Sequence, residues 1–200
     1  MDYTPQFISL IQQFSSIQFQ INGTENGKTS SISLGYASTS PSAGIYNATM
    51  TEVTNGTSIS FSFLVDSNND TVLSASYSRY TFTGTEAKTE FDAIMGIFGL
   101  NEYFSSELGV YTDPTYFTNQ GTSTMTFGTT SFPVTTYVAN SPNESVTYCG
   151  VSATITSYTL EIGTPPGTSL QFIVLLHFAG TSQGQSEDVT FQLTSMTVRS

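Results

Sequence analysis

The chain has 200 residues, of which 10% are charged; only Lys28, Arg79, Lys88 and Arg199 are basic, and the formal net charge is -11. So few cations cannot form the basic patch that phosphate neutralisation needs, which argues against nucleic acid and anionic membrane surfaces as partners. The length suits a single domain over residues 1–200, and Cys149, alone, excludes an intrachain disulfide and any site built from several cysteines.

The period of the apolar residues sets the expected elements. From Thr4 to Phe14, Phe7, Leu10, Ile11 and Phe14 share one side of a short helix that tolerates Pro5 in its first turn. The period then becomes two. Ile17, Phe19 and Ile21 alternate with polar residues, and the Asn26-Gly27 turn leads to Ile32, Leu34 and Tyr36 in a hairpin, followed by a loop over Ser38 to Gly44. Three long strands fill Ile45 to Phe82, joined at Asn55-Gly56 and at Asp66 to Asp70, with Ile59, Phe61, Phe63 and Val65 on one face and Ser58, Ser60 and Ser62 opposite.

Thr89 to Gly109 returns to the helical period. Phe91, Ile94, Met95 and Phe98 gather on one face, Thr89 and Asp92 have the spacing of a capping box, Gly99 stops the first helix and Asn101 caps a second. Tyr111 to Gly121 reads as an aromatic loop. Strands resume at Met125 and Phe127, then over Phe132 to Val138. Between Val151 and Ile162 the apolar residues change parity, which predicts a bulge near Ser157; a second slip follows Leu193 in the last strand, Val189 to Val198. Leu170 to Phe178 is apolar on both parities and is expected to be central and covered on both sides. About ten strands are more than one flat open sheet carries. The expected fold is therefore α+β and mainly antiparallel β: a strongly curved half-barrel sheet with the N-terminal helix and a central helical pair on its concave face.

Sites of chemistry are thin. His177 is the only histidine and no Ser/His/Asp or metal-ligand spacing accompanies it, so it reads as structural. Asp66, Asn68 and Asp70 open like a calcium loop, but Thr71 replaces its glycine and Tyr77 its bidentate glutamate, which leaves a hairpin turn as the better reading. Glu86 and Glu90 suit a helix N-terminus, and Glu187-Asp188 adjoin at a strand start. No phosphate loop, nucleophile elbow or ligand cluster occurs, so the chain does not read as an enzyme and implies no cofactor or metal.

Ser, Thr, Asn, Gln and Tyr keep the surface wet in place of Lys and Glu, and Asn22, Asn47, Asn55, Asn69 and Asn143 head glycosylation sequons. Both features suit an acidic, extracellular or cell-surface glycoprotein. The longest apolar run, Phe172 to Phe178, is too short to span a membrane. No basic residue precedes an apolar segment at the start, so Met1 reads as standing in place of a removed signal or anchor.

The order of helix, five strands, helices and about five strands resembles the LolA and LppX/LprG group of lipid-binding half-barrels, over the whole chain and without a diagnostic motif. That resemblance implies an extracytoplasmic protein that holds a lipid or other apolar molecule between sheet and helices, without a cofactor and with a possible membrane anchor outside this sequence. Phe61, Phe63, Tyr77, Phe91, Met95, Phe98, Phe172, Val174 and Leu176 are the residues expected at such a cavity, and each is equally explicable as core. The rival expectation is a structural or adhesive subunit of a surface layer or filament that self-associates through edge strands.

Overall fold

The computed structural model describes residues 2–25, 27–98, 108–148 and 151–199. Alternating apolar residues build the strands β1 (Phe14–Glu25), β2 (Lys28–Ser42), β3 (Ile45–Thr54), β4 (Thr57–Asp66), β5 (Thr71–Tyr77) and β6 (Tyr80–Thr83), then β7 (Phe117–Phe127), β8 (Thr130–Ala139), β9 (Glu144–Tyr148), β10 (Val151–Gly163), β11 (Phe172–Ser182) and β12 (Gln185–Val198). All pair antiparallel in one curved, unclosed sheet of order β6-β5-β4-β3-β2-β1-β12-β11-β10-β8-β7, with β9 beside the first half of β10. The helices are α1 (Thr4–Gln13), α2 (Gly84–Phe98) and a single turn, α3 (Leu108–Tyr111).

The pairing aligns apolar residues across strands. Leu160, Leu176, Phe191, Ile21 and Ile32 form one continuous row over β10, β11, β12, β1 and β2. Hydroxyls line the other face and bond across strands, as in Thr51 with Ser60 and Ser76 with Thr81. A sheet with one dry face needs cover, and α1 and α2 supply it. Phe7 of α1 meets Tyr36, Phe63 and Phe91 with ring centroids at 5.7, 5.9 and 5.1 Å, so one side chain ties α1 to β2, β4 and α2. At the elbow between α1 and β1, Phe14 packs edge-on against Phe172 at 5.8 Å.

Both expected irregularities are present. The β10–β11 register shifts between Ile155 and Ser157, and the β1–β12 register skips Thr194, whose hydroxyl donates to the Gln18 carbonyl. At the first shift the strands approach so closely that a Cβ on Gly180 would lie 2.6 Å from the Thr154 carbonyl oxygen. Only glycine fits there.

Other expectations need correction. The described residues form twelve strands, because a turn at Ser78, in the left-handed region at φ 55, divides β5 from β6, and because β9 forms a separate strand. The segment from Ser38 to Ser42 belongs to β2, held to β3 across a register shift, and half of the expected 111–121 loop is strand β7. Helix α2 starts at Gly84, so Thr89 is inside it, its hydroxyl donating to the Thr85 carbonyl, and the expected capping box does not form. Of the second expected helix, from Asn101 to Gly109, all but the last two residues fall outside the described residues, as does Gly99; Leu108 and Gly109 belong to α3, which runs on to Tyr111, so Gly109 does not end the helix. Double cover of β11 holds for Phe172, Ile173 and Val174, each at most 1% exposed, and lapses at half-buried Leu175 and His177.

Asp92 of α2 does not cap its helix and instead anchors the N-terminal segment. It accepts the Tyr3 N–H and, with Asp2, flanks the Lys88 ammonium. The hydrogen bond from Lys88, then that from the Thr4 N–H, holds the Asp2 carboxyl at about 2, below its ordinary 3.8. Desolvation pulls Lys88 down, but its two carboxylates outweigh it and lift the amine above its usual value. Because the Asp2 value is depressed by folding, its contribution is complete above pH 3.8 and vanishes as the pH falls toward 2. The Asp2 side chain is 61% exposed, so the effect should stay under about 1 kcal/mol. Thermal melts between those pH values should show this loss in the native protein and a flatter profile in Lys88→Met; identical slopes would show that the ion pair contributes nothing.

Candidate functional site

An open cleft with aromatic walls lies at the β7 end of the sheet, beside the turn that joins α3 to β7. Asp113 organises this turn. Its carbonyl accepts the Tyr116 and Phe117 N–H groups at 3.1 and 2.9 Å, and its carboxylate accepts the Thr115 N–H at 2.8 Å, which holds the carboxyl below the usual range. Asn140, just after β8, locks the same turn from below. Its side-chain amide donates to the carbonyls of Pro114 at 3.0 Å and Thr115 at 3.2 Å, its side-chain oxygen accepts the Thr118 hydroxyl, and its backbone N–H reaches the Tyr116 carbonyl.

The turn so fixed presents Tyr111 and Phe117 to Tyr158 of β10. Ring centroids lie 5.6 Å apart for Tyr111–Phe117, 5.8 Å for Phe117–Tyr158 and 6.3 Å for the nearly parallel Tyr111–Tyr158 pair. With Ile155, Ala139 and Pro142 they line an open cleft of about 520 Å³, and Thr115 and Ser141 add hydroxyls to the lining. That volume falls within the range of small-molecule sites. Among the described residues the lining includes no carboxylate, cation or imidazole, and no group of three His, Cys, Asp or Glu able to hold a metal occurs. Such a cleft can hold an apolar or aromatic body and orient it with a hydroxyl.

Of the residues expected at the cavity, Phe63, Phe91, Met95, Phe172, Val174 and Leu176 are buried in one core cluster, and Phe61 packs against it. Phe63, Phe91 and Met95 are buried to 3% exposure or less beneath α1, while Phe61 stacks on Tyr77 at 4.8 Å near the sheet's other edge, Tyr77 being 42% exposed. Phe172, Val174 and Leu176 sit on β11, with β3, β2, β1 and β12 between them and β4. Phe98 ends α2, and its side chain is outside the described residues. The aromatic cleft was missed because Tyr111, Tyr116 and Phe117 read as a loop; the density of rings in YTDPTYF was the signal available.

His177 is not enclosed by its strand. It is half-exposed on the hydroxyl face, where its Nε2 lies 3.0 Å from the Asp188 carboxylate. At the half calcium motif, the Asp66 carboxylate accepts the Asn69 side-chain amide and the Asn68 N–H at 2.7 and 2.9 Å, in a hairpin turn with Asp70 in the left-handed region. The five sequon asparagines, Asn22, Asn47, Asn55, Asn69 and Asn143, are all exposed.

No protein-family model matches this sequence, and no curated protein matches it either. Among solved structures it is similar to a crystal structure of MucB, with a TM-score of 0.40 and 13% identity, covering 100% of this chain and 58% of that one. The MucA/MucB complex of Pseudomonas aeruginosa gives 0.43 and 12%, over 100% and 56%, and MucB in complex with MucA(peri) gives 0.39 and 13%, over 98% and 54%. The chain thus spans a little over half the length of these structures. At these scores neither a ligand nor a partner passes from those proteins to this chain.

Proposed function

We propose that the chain is an extracytoplasmic binding protein that holds a lipid or other apolar molecule, with the Tyr111–Phe117–Tyr158 cleft as the place of entry or residence. The observation that carries this reading is an uncharged, ring-walled space of about 520 Å³ held open by the Asp113 and Asn140 hydrogen bonds. The aromatic walls offer large contact area at low entropic cost. A surface rich in hydroxyls and amides, with five exposed sequons, supports a place outside the cytoplasm.

The reading moves the ligand from between helices and sheet to the end of the sheet. A fluorescent fatty acid titrated into purified protein should bind, and Ile155→Asp or Tyr158→Ala should weaken that binding at least about tenfold, or 1.4 kcal/mol. Phe63→Ala, in the core beneath α1, should leave the affinity unchanged at temperatures where it stays folded. Absence of fatty-acid binding together with a lipid-free solvent extract would remove the carrier function altogether. Binding lost in Phe63→Ala but kept in the cleft variants would return the ligand to the space between helices and sheet.

A further inference from the structure

The two ends of the sheet are built differently. One end is β6, only four residues long, preceded by Arg79 and running directly into α2. A strand so short offers little to a neighbour. The other end is β7, eleven residues with a hydrogen-bonded strand on one side only among the described residues. β12 comes close to β7 without pairing with it, yet every residue from Thr118 to Thr124 is exposed.

Charge is also absent here. From Pro114 to Asn143, which includes the whole β7–β8 hairpin, there is no Asp, Glu, Lys, Arg or His, in a chain whose net charge is -11. The usual guards of an open edge are lysine, proline, an inward charge or a bulge. β7 has only the last: its register shifts between Asn119 and Gly121, with Gly121 at φ 110 and its N–H held by the Asn119 side chain at 2.7 Å. Beyond this bulge the strand runs regularly from Gly121 to Phe127.

We infer that β7 is a self-pairing edge, joined antiparallel to the β7 of a second copy of this chain between Gly121 and Met125. The choice of a second copy rests on two observations. Two bodies that each carry -11 repel wherever acidic surface meets, and this uncharged hairpin is where they can approach. The strand is also complementary to itself. A twofold axis through Ser123, perpendicular to the sheet, sets Ser123 against Ser123, Thr122 against Thr124 and Gly121 against Met125, keeping the apolar faces of both copies on one side. These are the hydroxyl pairs that β7 already makes with β8, Thr122 with Thr135 and Thr126 with Ser131. The pair uses the same edge of both copies, and the other edges among the described residues, β6 and β9, are only four and five residues long, so pairing closes as a dimer and does not propagate into a filament.

An edge-to-edge contact of this length buries little surface, so the dimer is weak. Sedimentation of the full chain from roughly 1 to 500 micromolar should show a concentration-dependent rise toward twice the 21.5 kDa chain mass. Ser123→Lys, which places like charges opposite each other at the axis, should raise the dissociation constant at least about tenfold with an unchanged melting temperature. Ser123→Cys in a Cys149→Ser background should give an oxidised dimer, and the same substitution at the exposed Thr81 of β6 should not. A chain that stays monomeric at the highest concentration, a dimer indifferent to Ser123→Lys, or growth into filaments would each overturn the inference. None of these results bears on fatty-acid binding, so the two proposals stand or fall separately.

Discussion

Phe91→Ala is expected to lower the free energy of unfolding by about 3–5 kcal/mol, measured as a shift of the urea midpoint without a change in slope. Phe91 is fully buried, and its ring meets two others edge-on, Phe63 of β4 at 5.2 Å and Phe7 of α1 at 5.1 Å. Phe7 and Phe63 also touch, at 5.9 Å, so three rings from three elements close a triangle. Removing one ring therefore empties a site that the other two cannot fill without moving a helix. Edge-on contacts of this kind add about 0.5–1.5 kcal/mol beyond buried area, so a Phe7/Phe91 double-mutant cycle should give a coupling above about 0.5 kcal/mol. Strict additivity would mean that the helices are held by separate contacts and not by the ring triangle.

Sequence periodicity reached as far as effects that act within a few residues. The alternation of Ile17, Phe19 and Ile21 and the parity slips near Ser157 and after Leu193 are local patterns, and the structure has a strand or a register shift at each. Most of what was misjudged was decided at a distance. The start of α2 at Gly84 is hidden because Thr85, Glu86 and Lys88 show no apolar period, although Ala87 between them is fully buried. The turn at Ser78 carries no glycine or Asn-Gly signal, although it closes a two-residue hairpin between Tyr77 and Tyr80 with Ser78 in the left-handed region. Strand order is not written in residue character: β3, β2, β1 and β12 lie between β4 and β11, and no local pattern says that Phe63 and Phe172 join one core cluster. The Tyr111–Tyr158 contact likewise depends on β8 lying between β7 and β10, which no spacing in the sequence announces.

The second large effect concerns Arg199, one of the four basic residues of the chain. Its guanidinium enters the junction of α1, β1 and β2 and donates to the carbonyls of Ile11 at 3.0 Å and Ser38 at 3.3 Å and to the Ser38 hydroxyl, while its backbone N–H donates to the Gln13 carbonyl at 2.8 Å. Its planar group also stands 5.3 Å from the centre of the Tyr46 ring. Ile11 and Gln13 belong to the last turn of α1, where carbonyls lack helical partners and the helix dipole favours a cation. Ser38 is only 7% exposed, so water cannot fully replace the arginine. Arg199→Met keeps most of the apolar stem and the backbone bond to Gln13 but takes the donor away from the Ile11 and Ser38 carbonyls, which should cost about 2–3 kcal/mol. Arg199→Lys should recover less than half of that, because one ammonium cannot serve the helix end and Ser38 in the same geometry. Hydrogen exchange adds a local readout: the amides of α1 and of the adjoining Phe14 should lose protection in the methionine variant more than those of β4. A methionine variant within about 0.5 kcal/mol of the native protein, with α1 protection intact, would show that packing alone holds α1 to the sheet.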